Sequence, residues 1–366
     1  MNELEASRKE INRIDAEMAR LFEERMRASA SIAEYKKQNG LSVRDREREL
    51  ALIDRDRAFI SDAEIEAYYV KFLKSVIDIS CEYQSRLLSG MRVAYSGVEG
   101  AFAHMAAKRM FPAAELVPFP SFGDAYSAVS EGELDCVVLP LENSAEGEVG
   151  TVMDLIFSGE LYVNQVVDLP IAHNLIGVPG ATIDGIKTVI SHPQALGQCT
   201  EYIRAHGFMT QSFSNTALAA KHVLAAGDPG IAAIASDETA ELFGLELLDR
   251  TINDSKSNTT RFAALSRAQN RPVSTAKRED ESFILVFTVR NEAGALAQTL
   301  NIIGAHGFNM RSLRSRPMKD LQWNYFFYVE AEGDINTANG RDMLHELSAI
   351  CAKLKLVGSY YSNLKA

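Results

Sequence analysis

Residues 4–40, LEASRKEINRIDAEMARLFEERMRASASIAEYKKQNG, decide how the first part of this chain folds. Apolar residues recur here every three or four positions and the segment contains no proline, which predicts a single amphipathic helix. The Asn39-Gly40 pair at its end is a typical C-terminal stop. With a rise of about 1.5 Å per residue, such a helix is about 50 Å long, longer than a small domain is wide.

Two shorter helices are predicted at about 45–59 and 63–88, so that residues 1–90 form an all-α domain. Ile65, Tyr69 and Phe72 lie along one side of the third helix. Three helices, one of them this long, cannot easily bury their apolar stripes within a single chain. We therefore predict an intertwined homodimer or a higher homo-oligomer.

From Met91 the pattern changes to buried strands that alternate with helices, as in RVAYSGVEGAFAHMAAKRM and LDCVVLPLENSAEGEVGTVMDLI. This alternation predicts a two-lobed α/β domain over residues 91–267 with mainly parallel strands. Such sheets bind ligands at the carboxyl ends of their strands, which is where the motifs SGVEG, PLENS and SHPQ fall. The glycine spacing is not GxGxxG and no P-loop lysine is present, which excludes a nucleotide site of those two kinds.

Residues 268–281 are polar and lack periodicity, which predicts a linker. After it come a strand, a helix, two strands, a helix at about 337–354 and a last strand. This βαββαβ order over residues 282–366 predicts an α+β ferredoxin-like domain.

Composition narrows the class of protein. The chain is 46% hydrophobic and 24% charged, as expected of a folded protein, and its net charge of −11 argues against nucleic acid as a partner. No apolar run approaches the ~20 residues of a membrane helix, and the polar N-terminus predicts that no signal peptide is present. Four separated cysteines fit reduced thiols in a cytoplasm, and seven scattered histidines predict no metal site. An anionic substrate must then be held by a local cluster of cations.

The helical region carries such a cluster. Arg8 and Arg25 fall on the apolar stripe of the first helix, where a guanidinium is costly unless an anion pairs with it. In VRDRERELAL, residues 43–52, Asp45, Arg48 and Glu49 share one face of the second helix. An internal salt-bridge network is the alternative, but the cations outnumber the acids, which favours a small dianion as ligand. The polar positions of the three helices are Arg8, Arg25, Lys36, Asp45, Arg48, Glu49, Ser80 and Gln84.

With these residues in place, the first 90 positions resemble the all-helical class of chorismate mutase. The resemblance implies that the arginines bind the substrate carboxylates, with Arg8 reaching into the partner subunit's site. It implies that Lys36 and Gln84 hydrogen-bond the breaking ether oxygen, and that the other polar positions contact hydroxyl and carboxylate groups. The rearrangement of chorismate to prephenate needs no nucleophile, metal or redox cofactor, so no cofactor is expected; positioning and donors at the ether oxygen suffice.

The rest of the chain resembles prephenate dehydratase with a C-terminal ACT domain, through GVEGAFAH, PLENS, SHPQ and NTTRF, so the whole resembles the bifunctional chorismate mutase–prephenate dehydratases of phenylalanine biosynthesis. The resemblance implies that Thr260 donates a hydrogen bond to the leaving hydroxyl while carbon dioxide is lost and phenylpyruvate forms. Arg261 is either a carboxylate anchor or part of a strand-edge ion pair, and a single histidine such as His192 is more often structural than an acid. The remaining implied cleft residues are Glu142, Asn143, Ser144 and Gln194.

Two places depart from the family pattern. Ala101 and Ala103 replace the usual hydroxyl residues and Val98 replaces a proline, which leaves open whether prephenate or its amino analogue arogenate is preferred. In the ACT region, where the resemblance implies that phenylalanine binds as effector, the ESRP motif begins with arginine. The implied effector-site residues are Gly294, Ala295, Leu296, Arg314, Ser315, Arg316 and Pro317.

Two other classes of function compete with this interpretation. An amino-acid sensor would bind ligand without turnover, since two-lobed α/β domains and ACT domains also serve as sensors. A monofunctional dehydratase would use its helical segment only to dimerise, and would have alanine or aliphatic residues at positions 8, 25 and 36.

Overall fold

The computed structural model of the protein describes residues 3–39, 41–255, 257–269, 281–318 and 325–361. Most of the predicted linker at 268–281 lies outside these ranges. The chain divides into two compact units, Met1–Arg92 and Val93–Ala366. Among the described residues, no helix combines the length and the apolarity that crossing a membrane requires.

The first unit is all-helical, as predicted. It consists of helices α1 Glu3–Gln38, α2 Arg46–Asp56, a short 3-10 helix Arg57–Phe59 and α3 Ala63–Ser89. Helix α2 begins where the Asp45 carboxylate accepts a hydrogen bond from the Arg48 main-chain N–H at 3.0 Å. Asp62 accepts from the Glu64 N–H in the same way at the start of α3. Such caps satisfy donors that have no partner within the helix.

The core of the helical unit is small. Leu73, Ile77 and Cys81 of α3 are buried, with a few partly buried side chains around them. On α1, by contrast, Ile11 is 56% exposed and Leu21 is 49% exposed. Among the described residues of the helical unit, the apolar stripe of α1 is therefore largely uncovered.

Strands and helices alternate through most of the second unit. Its strands are β1 Arg92–Ser96, β2 Glu115–Phe119, β3 Cys136–Asn143, β4 Gly147–Glu148, β5 Tyr162–Pro170, β6 Asn174–Gly177, β7 Thr188–Ser191, β8 Met209–Ser212, β9 Ile231–Ala235, β10 Glu246–Asp249, β11 Thr259–Ser266, β12 Glu281–Thr288, β13 Asn309–Pro317, β14 Tyr325–Glu332 and β15 Lys353–Tyr361. Its α-helices are α4 Phe102–Met110, α5 Phe122–Ser130, α6 Gly150–Ser158, α7 Pro193–Gly197, α8 Thr200–His206, α9 Thr216–Ala226, α10 Asp237–Phe243, α11 Ala295–Ala305 and α12 Ala338–Ile350.

The α/β region contains two mixed sheets. The first has the strand order β2-β1-β3-β11-β5, with β4 paired to β3, and the second has the order β10-β6-β9-β7-β8. Strand β1 is parallel to β3, whereas β11 is antiparallel to both β3 and β5. The prediction of mainly parallel strands is therefore wrong. The chain leaves the first sheet at β5, builds the second sheet, and returns as β11 between β3 and β5 in the reverse direction.

The C-terminal region has the order β12, α11, β13, β14, α12, β15, and its sheet has the order β13-β14-β12-β15. Each of its described pairings is antiparallel. The helix predicted at about 337–354 ends earlier, at Ile350, because Cys351 has an extended backbone and β15 begins at Lys353.

The C-terminal sheet shares a core with the first α/β sheet. Ile284, Val286 and Phe326 belong to the same buried cluster as Leu139 of β3. The rings of Phe157 and Phe326 stack with their centroids 4.2 Å apart. This packing holds β13, the strand with residues 314–317, against the region that follows β3.

Candidate active sites

In the helical unit, polar side chains of α1 and α3 meet at one place. The Arg25 guanidinium donates to Ser80 Oγ and to the Val76 carbonyl oxygen, the latter at 3.2 Å. Lys36 Nζ donates to the carbonyl oxygen of Val43, just before α2. Folding thus brings Arg25 and Ser80, two of the polar positions that the sequence singled out, into contact from segments 55 residues apart.

Gln84 lies one turn beyond Ser80 on α3. It is only 6% exposed, and its Oε1 atom has no hydrogen-bond partner among the described residues. An unpaired buried polar atom costs about 1–3 kcal/mol. Such an atom in a row of polar side chains is typical of a site that a ligand completes.

Glu49, Asp45 and Arg48 are at the start of α2. The Cys81 thiol donates to the Glu49 carboxylate at 3.7 Å, and an Arg44 nitrogen lies 4.0 Å from Glu49. Burial, and next the Glu49 charge, raises the pKa of Cys81, so this thiol stays protonated. Asp45 caps α2, and the Arg48 side chain is exposed.

Arg8 lies far from Arg25 within the single chain. It is exposed on α1, seventeen positions before Arg25 in the same helix. A rise of about 1.5 Å per residue separates the two by about 25 Å along the axis. Arg8 therefore cannot reach the Arg25 cluster of its own chain.

In the second unit, a cavity of about 600 Å³ opens at the carboxyl ends of β1 and β3 and the start of β11. Among the predicted residues, Asn143, His192, Gln194 and Thr260 line it. No lysine or arginine belongs to its lining within the described part of the chain.

The first turns of three helices border this cavity. Phe102 of α4, Gln194 of α7 and Thr216 of α9 belong to its lining. N–H groups at a helix start have no partners within the helix and carry a partial positive charge. Ala101 provides no side-chain cap for α4, so these N–H groups stay available to a ligand. The arrangement suits an anion without any cationic side chain.

A row of amide side chains runs away from Thr260. Asn143 Nδ2 lies 2.9 Å from Thr260 Oγ1 and 2.8 Å from Asn258 Oδ1. Asn258 Nδ2 lies 2.7 Å from Gln198 Oε1, which is also 2.9 Å from His173 Nε2. The row connects the start of β11 with a histidine just before β6.

The neighbours of Asn143 and Thr260 face the other way. Glu142 forms an ion pair with Arg314 of β13, and Arg261 pairs with Asp168 at 2.9 Å and with Glu330 at 3.4 Å. Successive side chains of a strand point to opposite faces. For Arg261 the structure therefore shows the ion pair that the sequence left as one alternative, and Glu142 too lies outside the cavity lining.

Two further predicted residues have local tasks. His192 caps α7, since its Nδ1 accepts from the Gln194 N–H at 3.3 Å. Ser144 Oγ donates to the Ser257 carbonyl oxygen at 3.0 Å and accepts from the Thr259 N–H. Ser144 thus fixes the segment that leads into β11 and is not among the cavity-lining residues.

The two effector motifs do not line one pocket in the described part of the chain. Gly294 has the left-handed backbone (φ 87°) that precedes α11, and a pocket of about 460 Å³ beside it includes Arg290 and Glu292. Ala295 also lines this pocket, whereas Leu296 packs against the core. On β13, Ser315 and Pro317 are exposed, and Arg316 pairs with two acidic side chains of the first lobe, those of Glu148 and Asp154.

Sequence reasoning passed over His173, Gln198 and Asn258. Asn258 lies two residues before Thr260, a spacing that places both on one face of an extended chain. Gln198 follows Gln194 by four residues, a spacing that predicts one helix face. For His173 the only signal was a polar ring in the apolar stretch PIAHNLIG.

Comparison with known proteins covers each region. A family model described as chorismate mutase type II matches residues 7–85, one described as prephenate dehydratase matches 93–270, and one described as ACT domain matches 283–349. Two curated relatives carry the name bifunctional chorismate mutase/prephenate dehydratase. That of Aquifex aeolicus (strain VF5) is 31% identical over 98% of this chain and 98% of its own, and that of Neisseria gonorrhoeae is 32% identical over 96% and 95%.

A solved structure extends the comparison to the second unit. The prephenate dehydratase of Arthrobacter aurescens, in complex with L-Phe, has a TM-score of 0.68 and 28% identity. The match covers 74% of this chain and 90% of that one.

Proposed function

The chain belongs to the bifunctional chorismate mutase/prephenate dehydratase family, and from this premise we propose how its two units divide the work. The protein converts chorismate to prephenate and prephenate to phenylpyruvate, in the biosynthesis of phenylalanine. The helical unit carries the first reaction and the cavity beside Thr260 carries the second. The observation that supports this division most strongly is the Arg25–Ser80 contact one helical turn from Gln84, whose buried Oε1 has no partner among the described residues.

In the mutase, side-chain donors do the work. Arg25 and Arg48 hold the two carboxylates, so that the substrate stays in the folded conformer that rearranges. Lys36 and Gln84 donate to the ether oxygen, on which negative charge develops as the carbon–oxygen bond breaks. Ser80, Asp45 and Glu49 contact the remaining hydroxyl and carboxylate groups. In the structure, Arg25 donates to Ser80 Oγ and Lys36 donates to the Val43 carbonyl oxygen.

A second copy of the chain completes this site. Ile11 and Leu21 leave the stripe of α1 exposed, and Arg8 is about 25 Å from Arg25 in its own chain. An antiparallel α1 from a second copy covers the stripe and brings its Arg8 to the Arg25 cluster. The proposal is therefore an intertwined homodimer in which each mutase site uses both chains.

In the dehydratase, prephenate lies at the carboxyl ends of the first sheet, and the N–H groups at the starts of α4 and α9 meet its carboxylates. The bond from the ring to carbon dioxide breaks, its electron pair becomes a ring double bond, and the opposite carbon–oxygen bond releases hydroxide. Thr260 donates a hydrogen bond to that departing oxygen. Its own pKa is too high for net proton donation, so the proton that completes water comes from solvent.

The remaining assignments concern regulation and location. Phenylalanine is the proposed effector, with Arg290 as a donor for its carboxylate and Glu292 as an acceptor for its ammonium. The strand order of the C-terminal sheet supports a ferredoxin-like ACT domain at 282–366, after mutase and dehydratase domains at 1–90 and 91–267. The four free cysteines favour a cytoplasmic location.

The experiment adds chorismate to the purified full chain and follows its loss together with phenylpyruvate formation. Loss of chorismate followed by phenylpyruvate supports both assignments. Prephenate and arogenate, each supplied alone, identify the preferred dehydratase substrate. Binding of phenylalanine with no turnover of any of these compounds would show that the protein is a sensor and would contradict the proposal.

A further inference from the structure

We propose that His173 is a positioning residue of the dehydratase: as a donor to Gln198 it holds in place a row of three amide side chains, and the Asn143 end of that row leaves the Thr260 hydroxyl proton free for the cavity. The three amides are those of Gln198, Asn258 and Asn143. The inference rests on the proposed role of Thr260 as donor to the leaving hydroxyl. It assigns a task to a histidine outside the motifs that the sequence singled out.

The direction of the row is set at its Asn143 end. Asn143 Oδ1 accepts from the main-chain N–H groups of Ala145 and Glu146, at 2.9 and 3.1 Å. A main-chain N–H can only donate, so the amide of Asn143 has one allowed orientation. Its Nδ2 group therefore faces Thr260 Oγ1 and Asn258 Oδ1 and donates to both.

The same reasoning passes along the row to His173. Because Asn258 Oδ1 accepts, Asn258 Nδ2 is the group that donates to Gln198 Oε1. Gln198 Oε1 is an acceptor, so the contact with His173 Nε2 requires the proton on that nitrogen. The backbone of residues 145 and 146 thereby fixes the tautomer of a histidine nearly thirty positions away in sequence.

His173 stays neutral in this position. Only 3% of it is exposed, and burial lowers its pKa while the Gln198 contact opposes that shift. With the proton on Nε2, Nδ1 carries a lone pair and has no partner among the described residues. The ring packs edge-on against Phe102, with centroids 5.7 Å apart. The imidazole is thus a fixed donor at the far end of the row.

The consequence falls on Thr260. Its oxygen accepts from Asn143, so its own proton is not used in that contact and is free to point into the cavity that Thr260 lines. A hydroxyl that donated to Asn143 would instead present a lone pair to the departing hydroxide and oppose its release. Without the Nε2 donor, the Gln198 amide is free to turn, and the acceptor that holds Asn258 in place is lost.

Two substitutions of His173 distinguish the loss of the Nε2 donor from the loss of the imidazole ring. In His173→Gln the side-chain amide nitrogen takes the place of Nε2, whereas in His173→Asn it takes the place of Nδ1. We expect the kcat for prephenate to stay within about twofold in His173→Gln and to fall about 3- to 10-fold in His173→Asn, with KM unchanged. Equal loss in both variants, or a change in KM alone, would overturn the inference.

The tautomer is measured directly, without turnover. In nitrogen-15 NMR of the histidine-labelled full chain, the His173 signals are those that disappear in His173→Gln. We expect a neutral ring with its proton on Nε2 near neutral pH; an Nδ1–H ring or an imidazolium would overturn the inference even if His173→Asn does not fold. If the wild type does not turn over prephenate, the proposed function fails, while the NMR result still decides the direction of the row.

Discussion

The two units differ in the kind of group that is proposed to bind an anionic substrate. In the helical unit, the proposed donors are charged side chains such as Arg25 and Lys36, which belong to the largely exposed helix α1. In the dehydratase cavity, no lysine or arginine lines the site within the described residues, and helix starts and neutral amides take their place.

This difference determines what substitution can reveal. A charged side chain can be removed alone, and the loss then reports its contribution. Main-chain N–H groups cannot be removed in this way, so the cavity is open to substitution mainly at its neutral hydroxyl and amide side chains. The two sites should therefore respond to different substitutions. A substitution that abolishes chorismate turnover should leave prephenate turnover unchanged, and the reverse should also hold.

The largest effect is expected at Thr260. Thr260→Val keeps the shape and removes the hydroxyl, so prephenate turnover should fall by roughly 10²- to 10³-fold, the range for a lost hydrogen-bond donor to an oxygen on which negative charge develops. Chorismate loss, measured in the same samples, should persist. Thr259→Val is the matched control, because its side chain belongs to the opposite face of β11. Full dehydratase activity in Thr260→Val would rule out the hydroxyl as donor.

The next effect concerns the charged site. Arg25→Ala should lower chorismate turnover by about 10- to 100-fold, because a charge-assisted hydrogen bond is lost where it acts on the substrate. Prephenate turnover should be retained. Arg27→Ala is the control, since Arg27 is exposed and paired with Glu23 on the same helix. Equal loss of both activities in Arg25→Ala would indicate general unfolding and erase the contrast between the units.

Mixing two inactive variants sharpens this test. In the proposed dimer, a heterodimer of Arg8→Ala and Arg25→Ala chains has one site with both substitutions and one site with neither. Random assortment of equal amounts should therefore restore about a quarter of the wild-type mutase activity. The measurement is chorismate turnover after the two variants are unfolded and refolded together. No recovery would show that Arg8 acts within its own chain or not at all.

The two regions also differ in how far the sequence predicted them. The helical unit follows from local periodicity, and α1 ends at Gln38, one residue before the predicted Asn39-Gly40 stop. Its polar positions lie on the faces of three helices, so spacing alone was enough to predict them as one group. In this unit the spacing of residues along the sequence is enough to predict which side chains share a helix face.

In the α/β region, the features that form the site depend on residues far apart in the sequence. The direction of β11 depends on where the chain returns from the second sheet, which no strand pattern records. Whether Arg261 faces the cavity or Glu330 depends on register, and one residue of shift exchanges the two faces. His173, Gln198 and Asn258 come from three separate segments, so only the fold brings their side chains into one row.

A smaller effect is expected at the effector pocket, which combines one charged donor and one charged acceptor. Glu292→Gln removes the negative charge proposed for the phenylalanine ammonium, and phenylalanine should bind about 10-fold more weakly. Calorimetry on the full chain measures this, and turnover without phenylalanine checks the fold. Unchanged affinity would mean that main-chain carbonyls alone accept the ammonium. A chain ending near Arg267 is a poor control here, because Ile284 and Val286 belong to the core of the first lobe.

The smallest effect is expected at Arg314, the first residue of the segment 314–317. The side chain forms an ion pair with Glu142 and lies over the Tyr328 ring, 5.7 Å from its centroid, so its charge is engaged away from the Gly294 pocket of the same chain. Arg314→Ala leaves the partly buried Glu142 carboxylate without this partner, which should lower the free energy of unfolding by about 1 kcal/mol.

For a unit of this size that loss corresponds to a fall in Tm of about 2 °C, measurable by calorimetry. Arg311→Ala should change Tm less, because its pairing with Glu332 lies on the exposed side of the same strand. Phenylalanine binding should survive in Arg314→Ala, since the substitution leaves Arg290 and Glu292 in place. A loss of binding with Tm unchanged would mean that residues 314–317 contact the effector. Arg314 would then be a binding residue of the ACT domain, and its reversed charge would be part of how this chain recognises phenylalanine.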